Sequence, residues 1–339
     1  MPCEGIRLPD QSQNLLRRFL AKIGLDPLWV LLQAKWIQQK SNEIVQTFKP
    51  DIIVSIWHSS YLLAAFNASR QGSIPFAVIV HDDWHEMINR RQWSKGILKK
   101  SLKKIFQGAC ARICISESIA ATFHKRYGFA PCEILPPIPS EKSWHPIIKE
   151  KPNLLRIGTF GELMGNLGVL QAVAGVLPET GATLTFFTHG QSEERNGLAN
   201  RTFVFDGGSS AAEDLVRFLA QNMDLILIPQ SFESEHKAIV QQCFPSKIPE
   251  ACQIGLPILT IGPEYGTAYQ WARHAMPQSL VVKSLNPEKI ASAISSLKSV
   301  HAWKKAQESV WMAQKQFAPE KLHKRLEQSL DEAATKSPP

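Results

Sequence analysis

No run of about eighteen apolar residues occurs in this sequence, so no segment reads as a membrane-spanning helix. The first turns of chain mix Glu4, Asp10, Arg17, Arg18 and Lys22 into any apolar stretch, which is not the pattern of a secretory signal. Cysteine is sparse. Of the six, Cys110 and Cys114 have a C-x3-C spacing, but no second Cys/His pair at metal-ligand spacing follows. The expectation is therefore free, buried thiols in a reducing, cytoplasmic setting. Two nucleotide-binding signatures are also absent: there is no G-x-G-x-x-G after a strand and no Gly-Lys-Ser/Thr of a Walker loop. The strand that follows the main glycine-rich segment ends in Phe187-Thr188-His189, with no carboxylate to hold an adenosine ribose, so a nicotinamide cofactor is disfavoured.

What is present is a long alternation. Hydrophobic residues make up 44% of 339 and charged residues 20%, enough for two cored domains and too apolar for disorder. Helical spacing of Leu15, Leu16, Phe19, Leu20 and Ile23, then a run from Leu28 to Phe48, predicts two opening helices. Short apolar runs then alternate with amphipathic segments. Strands are expected at Ile52–Ile56, Phe76–Val80, Arg112–Ile115 and Glu133–Leu135, and again at Leu154–Ile157, Thr183–Phe187, Thr202–Phe205, Leu225–Ile228, Pro257–Ile261 and Leu280–Val282. Alternating strands and helices with short connections imply parallel sheets covered on both faces. Between the two series, Pro136, Pro137, Pro139, Pro146 and Pro152 crowd into seventeen residues and read as a linker. The expected division is 1–138, an N-terminal Rossmann-like domain; 139–153, the linker; 154–300, a C-terminal Rossmann-like domain; and 301–339, helices that cross back, with a frayed tail from Ala334.

The net charge is +8, and Arg90, Arg91, Lys95, Lys99, Lys100, Lys103 and Lys104 all fall within fifteen residues. With Ile97, Leu98, Leu102, Ile105 and Phe106 on one helical face, this segment reads as a solvated basic face or as a dock for anionic lipid headgroups, giving peripheral membrane contact through 90–104. No recognition motif for nucleic acid accompanies the charge.

Two segments carry chemistry. The first runs Gly158-Thr159-Phe160-Gly161-Glu162-Leu163-Met164-Gly165-Asn166-Leu167-Gly168, between a strand and a helix. Glycines let backbone approach a ligand, and the helix that follows offers free N–H groups and the positive end of its dipole, which suits a diphosphate. The second runs from Phe244 to Leu259. Ser246 and Lys247 open a helix after Pro245, bringing a hydroxyl, an ammonium and free N–H groups to one point. Glu250 lies one turn further along, Gly255 ends the helix and Pro257 begins a strand.

Phe244–Leu259 resembles the "PSK-x-x-E-x-x-x-x-G-x-P" donor segment of the retaining glycosyltransferases of the GT-B fold, family 4 group. Gly158–Gly168 resembles that family's glycine loop. Lys49-Pro50-Asp51-Ile52-Ile53, Val78-Ile79-Val80-His81-Asp82 and Arg112-Ile113-Cys114-Ile115-Ser116 resemble three of its N-domain strand ends. The similarity extends from about Pro50 to Trp271. It implies two Rossmann-type doubly wound domains facing a cleft. It implies transfer of a sugar, with retention, from a nucleoside-diphosphate donor to a carbohydrate or lipid-linked hydroxyl, in cell-surface polysaccharide or glycolipid synthesis. By the same resemblance, Gly161, Glu162, Gly165, Asn166, Ser246 and Lys247 hold the donor diphosphate, Glu250 binds the ribose, and His189, Pro229 and Gln230 frame the base. His81 faces the transferred sugar. Neither cofactor nor metal is expected, because Lys247 and two helix N-termini would take the metal's place; Asp82 and Asp83 read as solvated or capping.

The chain departs from the family pattern in three places. Gln242 stands where many members place a second glutamate eight residues before Glu250. The glycine loop has Glu162 and Asn166 in place of basic residues. The family's first N-terminal strand with its own glycine loop has no counterpart in 1–49, so the N-terminal domain is expected to be incomplete. Two other readings stay open: a nucleotide-sugar epimerase on the same fold, and a catalytically decayed binding protein.

Overall fold

The computed structural model describes residues 15–83, 96–139, 155–161, 165–188, 203–206 and 212–337. By contact density the chain divides into two units, Met1–Ile134 with Glu327–Pro339, and Leu135–Leu326. The proline-rich segment from residue 140 to 154 lies outside the described residues.

The N-terminal unit opens with α1 (Leu15–Lys22) and α2 (Asp26–Phe48), the second started by Pro27 in its first turn and stopped by Lys49 in the left-handed region at φ 46°. There follow β1 (Ile53–Ile56), α3 (Ser59–Gly72), β2 (Phe76–Val80), α4 (Gly96–Gly108), β3 (Ala111–Cys114), α5 (Glu117–Tyr127) and β4 (Glu133–Ile134). The strands form a parallel sheet in the order β1-β2-β3-β4. Helix α4 confirms its pattern: Leu98, Leu102, Ile105 and Phe106 are buried, and Lys99, Lys100, Lys103 and Lys104 are exposed. Trp57, fully buried just past β1, sits in an aromatic cluster with Phe123 at 4.9 Å, Tyr127 at 5.5 Å and Phe106 at 6.2 Å. Such edge and tilted pairs add about 1 kcal/mol each beyond burial, and they fix the end of β1.

The C-terminal unit contains β5 (Leu155–Phe160), α6 (Leu167–Thr180), β6 (Ala182–Thr188), β7 (Phe203–Asp206), α7 (Ala212–Asn222), β8 (Leu225–Pro229), α8 (Lys237–Gln242), α9 (Lys247–Ile254), β9 (Ile258–Ile261), α10 (Thr267–Ala275), β10 (Val281–Val282), α11 (Pro287–Ser296), α12 (Val300–Gln314) and α13 (Pro319–Ala334). The parallel sheet has the order β10-β9-β8-β5-β6-β7. Strands β8 and β9 are buried at every position, which is why Leu225–Pro229 and Ile258–Ile261 read as continuous apolar runs rather than alternating ones. The chain runs outward from β5 to β7, then returns to the far side of β5 with β8. That reversal opens a crevice at the C-terminal ends of β5 and β8, where parallel sheets bind ligands.

Two expectations are corrected. Gly158 does not begin the glycine loop; it lies inside β5, where a Cβ would meet Met223 Cγ at 2.8 Å and Leu219 Cδ2 at 2.9 Å. Its role is to let α7 and the turn after it pack directly on the strand. The tail is not frayed at Ala334: Ala333 is buried against Ala77 and Ala111, Lys336 Nζ donates to the Cys110 carbonyl at 3.3 Å, and the Cys110 thiol donates to the Ser337 carbonyl at 3.2 Å. The apolar side of the last helix, with Leu330, supplies the hold that sequence composition alone hid.

Asp224 ties the start of the C-terminal sheet together. Its buried carboxylate accepts from the Arg156 backbone N–H and from Arg156 Nε and Nη2, each at 2.9 Å, while its carbonyl accepts from Trp303 Nε1 at 2.7 Å. Replacing Asp224 by Ala leaves the Arg156 backbone N–H unpaired and is expected to cost about 2–3 kcal/mol in urea unfolding. Arg156→Ala removes a half-exposed side chain and is expected to cost about 1 kcal/mol.

Candidate functional site

Three elements meet at the crevice. At the end of β5 the backbone turns at Gly161, with φ 92°. At the start of α9, Ser246 is the exposed N-cap and Lys247 the first helical residue, half-buried. The Lys247 side chain lies across Gly161: a Cβ on that glycine would stand 2.6 Å from Lys247 Cε and 3.3 Å from Nζ. The left-handed φ favours glycine at 161, and a side chain there would have to displace the end of the Lys247 side chain. Sequence reasoning placed anion-binding character in both segments, and the fold brings them together.

A small pocket surrounds this contact, lined by Thr159, Phe160, Gly161, Asn166, Leu170, Phe186, Pro229 and Lys247. Among the described residues of that lining, Lys247 is the one charged side chain. Asn166 is the N-cap of α6 but makes no side-chain cap, so the first-turn N–H groups of α6 have no partner within the helix. Lysine, helix N-terminus and apolar walls together make a site suited to a phosphate group on an otherwise flat, partly apolar ligand.

Not every backbone group of the glycine loop is available. The Gly161 N–H donates to the Phe187 carbonyl at 2.8 Å. That bond continues the β5–β6 ladder past the strand end and removes one donor that the resemblance assigned to the diphosphate. Glu162 and His189 lie outside the described residues. Pro229 lines the pocket. Gln230 turns inward instead: it is buried, its Oε1 accepts from the Ala268 N–H at 3.0 Å and its Nε2 donates to Thr267 Oγ1 at 3.3 Å. It caps α10, and Gly262 and Gly266 leave room for it. Its side chain is therefore committed to the fold, and only the Pro229 half of that strand end faces the pocket. Glu250 is half-buried in the first turn of α9, and Gln242, half-buried, ends α8. Cys252, on the same helix, is fully buried, and burial alone pushes its thiol well above the usual range, so it is inert packing.

One residue beside the loop carried no sequence signal. His236 ends a 3-10 turn (Ser234–His236) after β8, and its ring lies on Gly165, φ 72°, so that a Cβ there would stand 2.6 Å from Nδ1. The ring is held by the Glu233 carboxylate, 3.1 Å from Nδ1, and by Ser231 Oγ at 3.3 Å. Because Glu233 accepts, Nδ1 carries the hydrogen. Glu233, Glu235 and His236 place three donor atoms within 4.8 Å of one another. Of the two exposed carboxylates only Glu233 is within hydrogen-bond distance of the ring; Glu235 stands 3.9 Å from Nε2. A lone histidine in a polar loop looks like any surface residue, and only the fold places it against the glycine loop.

In the N-terminal unit, His81 follows β2 directly and its Nε2 pairs with Asp82 Oδ2 at 2.8 Å. His58, two residues past β1 and the N-cap of α3, precedes Ser59, whose φ of 56° is rare for a residue with a side chain. Partial burial first, and then the neighbouring His81, lower the His58 pKa, with Asp82 opposing. His58, His81 and Asp82 thus form one polar cluster at the C-terminal ends of adjacent strands. Asp83 takes no part in it. It is buried, and its carboxylate pairs with Arg126 of α5 at 2.6 Å. The two adjacent aspartates therefore serve different partners, which is a correction to the expectation that they are solvated or cap the following helix.

Among curated protein sequences none matches this chain. Residues 9–138 match the model of Glycosyltransferase Family 4. Among solved structures, S. aureus TarM aligns with a TM-score of 0.60 and 13% identity over 86% of this chain and 57% of its own, so the chain spans less than two thirds of that protein. A glycosyltransferase from Rickettsia africae ESF-5 gives 0.63 and 15% identity, over 98% of this chain and 85% of the other. HepE of Anabaena, solved with UDP and glucose, gives 0.61 and 17% identity, over 86% and 81%. At such identities the similarity is one of fold. The chain thus carries a Glycosyltransferase Family 4 match over residues 9–138, and its two parallel-sheet domains have the GT-B glycosyltransferase fold.

Proposed function

We propose that this protein is a sugar-transferring enzyme that takes a nucleoside-diphosphate sugar and passes the sugar to a hydroxyl with retention of configuration. The observation that carries the reading is the Lys247 side chain lying over Gly161 in the pocket beside the N-terminus of α6. In this reading the donor diphosphate lies at Lys247 and at the first turn of α6. Charge builds on the leaving diphosphate as the glycosidic bond breaks, and a fixed ammonium and fixed N–H groups stabilise it there without reorganising. Ser246 and Asn166 add neutral donors, and Glu250 accepts from the ribose hydroxyls. His81, oriented by Asp82, serves the sugar being transferred. The neighbour solved with UDP and glucose supports a uridine donor and a hexose. Cell-surface polysaccharide or glycolipid assembly is the setting we infer for the acceptor.

Thermal shift with UDP and UDP-glucose tests the site. Ligand stabilisation is expected in the wild type. Lys247→Ala removes one charge-assisted contact and is expected to weaken UDP binding by about 2 kcal/mol, roughly thirtyfold. His81→Ala is expected to keep UDP binding and lose donor turnover. No shift with UDP, GDP or ADP would instead support a decayed binding protein, and conversion of the donor to an isomer with no acceptor present would support an epimerase.

The reading uses no metal, since Lys247 and the helix N-terminus carry the charge. Donor turnover is therefore expected to be the same in excess EDTA and in magnesium; loss in EDTA would contradict it.

The exposed lysines of α4 support peripheral contact with anionic headgroups. The apolar side of that helix is spent on the core, so the attraction is electrostatic only, about 1 kcal/mol per lysine near the surface. Co-sedimentation with phosphatidylserine vesicles is expected at low salt and is expected to vanish in high salt or in a Lys99, Lys100, Lys103 and Lys104 to Glu variant. Equal sedimentation with neutral vesicles would contradict this.

A further inference from the structure

In the N-terminal unit, β3 and the short edge strand β4 hold a further cluster with chemical potential. Cys114 ends β3 and is fully buried. In the parallel register it pairs with Ile134, so Cys114 and Cys132, two residues before that partner, project on the same side of the sheet. The two sulfurs lie close enough to influence each other's protonation, and the Cys132 thiol also meets the Ala130 carbonyl, to which it donates at 3.3 Å. Cys132 itself is half-buried and sits beside exposed Pro131, within reach of small solutes.

Two further groups face its sulfur. His124 of α5 places Nε2 at 2.7 Å from the Ala130 carbonyl and at 3.3 Å from Cys132 Sγ. A carbonyl can only accept, so Nε2 carries the hydrogen, and that N–H is shared between the Ala130 carbonyl and the Cys132 sulfur. Arg112, two residues before Cys114 on the same face of β3, donates to the Gln107 carbonyl at 2.7 Å and to the Pro131 carbonyl at 3.5 Å, which sets its guanidinium beside the Cys132 segment. Glu133, the next residue in β4, alternates to the opposite face. Hydrogen bonds from Cys114 and His124 and the positive charge of Arg112 lower the Cys132 thiol to about 6, against burial, while the hydrogen bond to Cys132 and burial raise that of Cys114. The arrangement is an activated thiol next to a protonated one, not the set of inert buried thiols that the composition suggested.

We propose that Cys132 is an oxidation-sensitive site and that Cys114 is its resolving partner, so that a peroxide converts the pair into a disulfide joining β3 to β4 around α5. In the first step the Cys132 thiolate attacks one oxygen of hydrogen peroxide. The O–O bond breaks, the departing hydroxide takes up the proton lost by the thiol, and sulfenic acid and water result. In the second step Cys114 Sγ attacks the sulfenic sulfur. The S–S bond forms as S–O breaks, and the Cys114 proton leaves with the hydroxide as a second water. The two sulfurs together lose two electrons, and the peroxide gains them. His124 acts as a positioning residue that stabilises the thiolate.

The test uses the full chain in its reduced form. Iodoacetamide labelling across pH, read by peptide mass, is expected to show Cys132 reacting with a midpoint near pH 6. The sign follows from the chemistry: the thiolate reacts, so a lowered pKa moves the rise to lower pH. Limited hydrogen peroxide is then expected to give a protein two hydrogens lighter, with the Cys114 and Cys132 peptides joined until dithiothreitol is added. Cys114→Ser is expected to leave a sulfenic acid at Cys132 that dimedone traps. His124→Ala is expected to shift the labelling midpoint upward, whereas a purely structural histidine would leave it in place. An ordinary labelling profile at Cys132, or peroxide treatment of the wild type with no Cys114–Cys132 link, would overturn the proposal without recourse to any variant.

Discussion

A single steric and electrostatic constraint organises the C-terminal unit: the Lys247 side chain occupies the space that a side chain at Gly161 would need. There two segments, almost ninety residues apart in sequence, meet at one point. The parallel sheet makes this meeting possible. Because β5 lies between β6 and β8, the connection leaving β5 and those leaving β8 diverge, and a crevice remains between them. Lys247 reaches into that crevice from α9, whose first turn is fixed by the Ile248 N–H to the Pro245 carbonyl and whose end is fixed by Gly255 in the left-handed region. An ammonium with one half-buried position differs from a solvated surface lysine. Its hydration is already reduced, and an arriving phosphate oxygen finds it in place.

The surroundings serve that point. Gly158 lets α7 pack on β5, and Gln230 ties the end of β8 to α10. Gly165 permits the His236 ring to lie on the loop, with Glu233 and Ser231 fixing its tautomer. These contacts spend polar groups on rigidity, which leaves fewer donors for a ligand and makes the remaining ones more decisive. In the N-terminal unit the same economy appears at the end of β1. There the aromatic cluster around Trp57 anchors the strand, and the next residues, His58 and strained Ser59, project a polar cluster with His81 and Asp82.

Much of this architecture was legible in the sequence. Apolar runs such as Phe76–Val80 and Leu225–Ile228 mark strands because parallel strands are buried on both faces, and the observed strands depart from the expected ones by a few residues at most. The helix beginning at Lys247 was legible because a proline, a hydroxyl and a lysine stand at its start and Gly255 at its end. What escaped was of another kind. Gly158 looked like the first glycine of a loop, and its function depends on Met223 and Leu219, which only the fold brings to it. Gln230 looked like a strand-end ligand residue, and its inward rotamer is set by Thr267 and Ala268. His236 and the Cys132–His124 pair have no pattern in sequence because their partners come from neighbouring elements rather than from neighbouring residues.

The direct measurement is the accessibility of the Lys247 ammonium with and without a nucleoside diphosphate. Acylation by an N-hydroxysuccinimide ester, read residue by residue by mass spectrometry, reports it. In the free protein Lys247 is expected to react more slowly than exposed Lys99 and Lys103. With saturating UDP it is expected to be protected, while the helix lysines are unchanged. Equal acylation of Lys247 in the presence and absence of every nucleoside diphosphate would contradict the account, because the crevice would then hold no anion at Lys247.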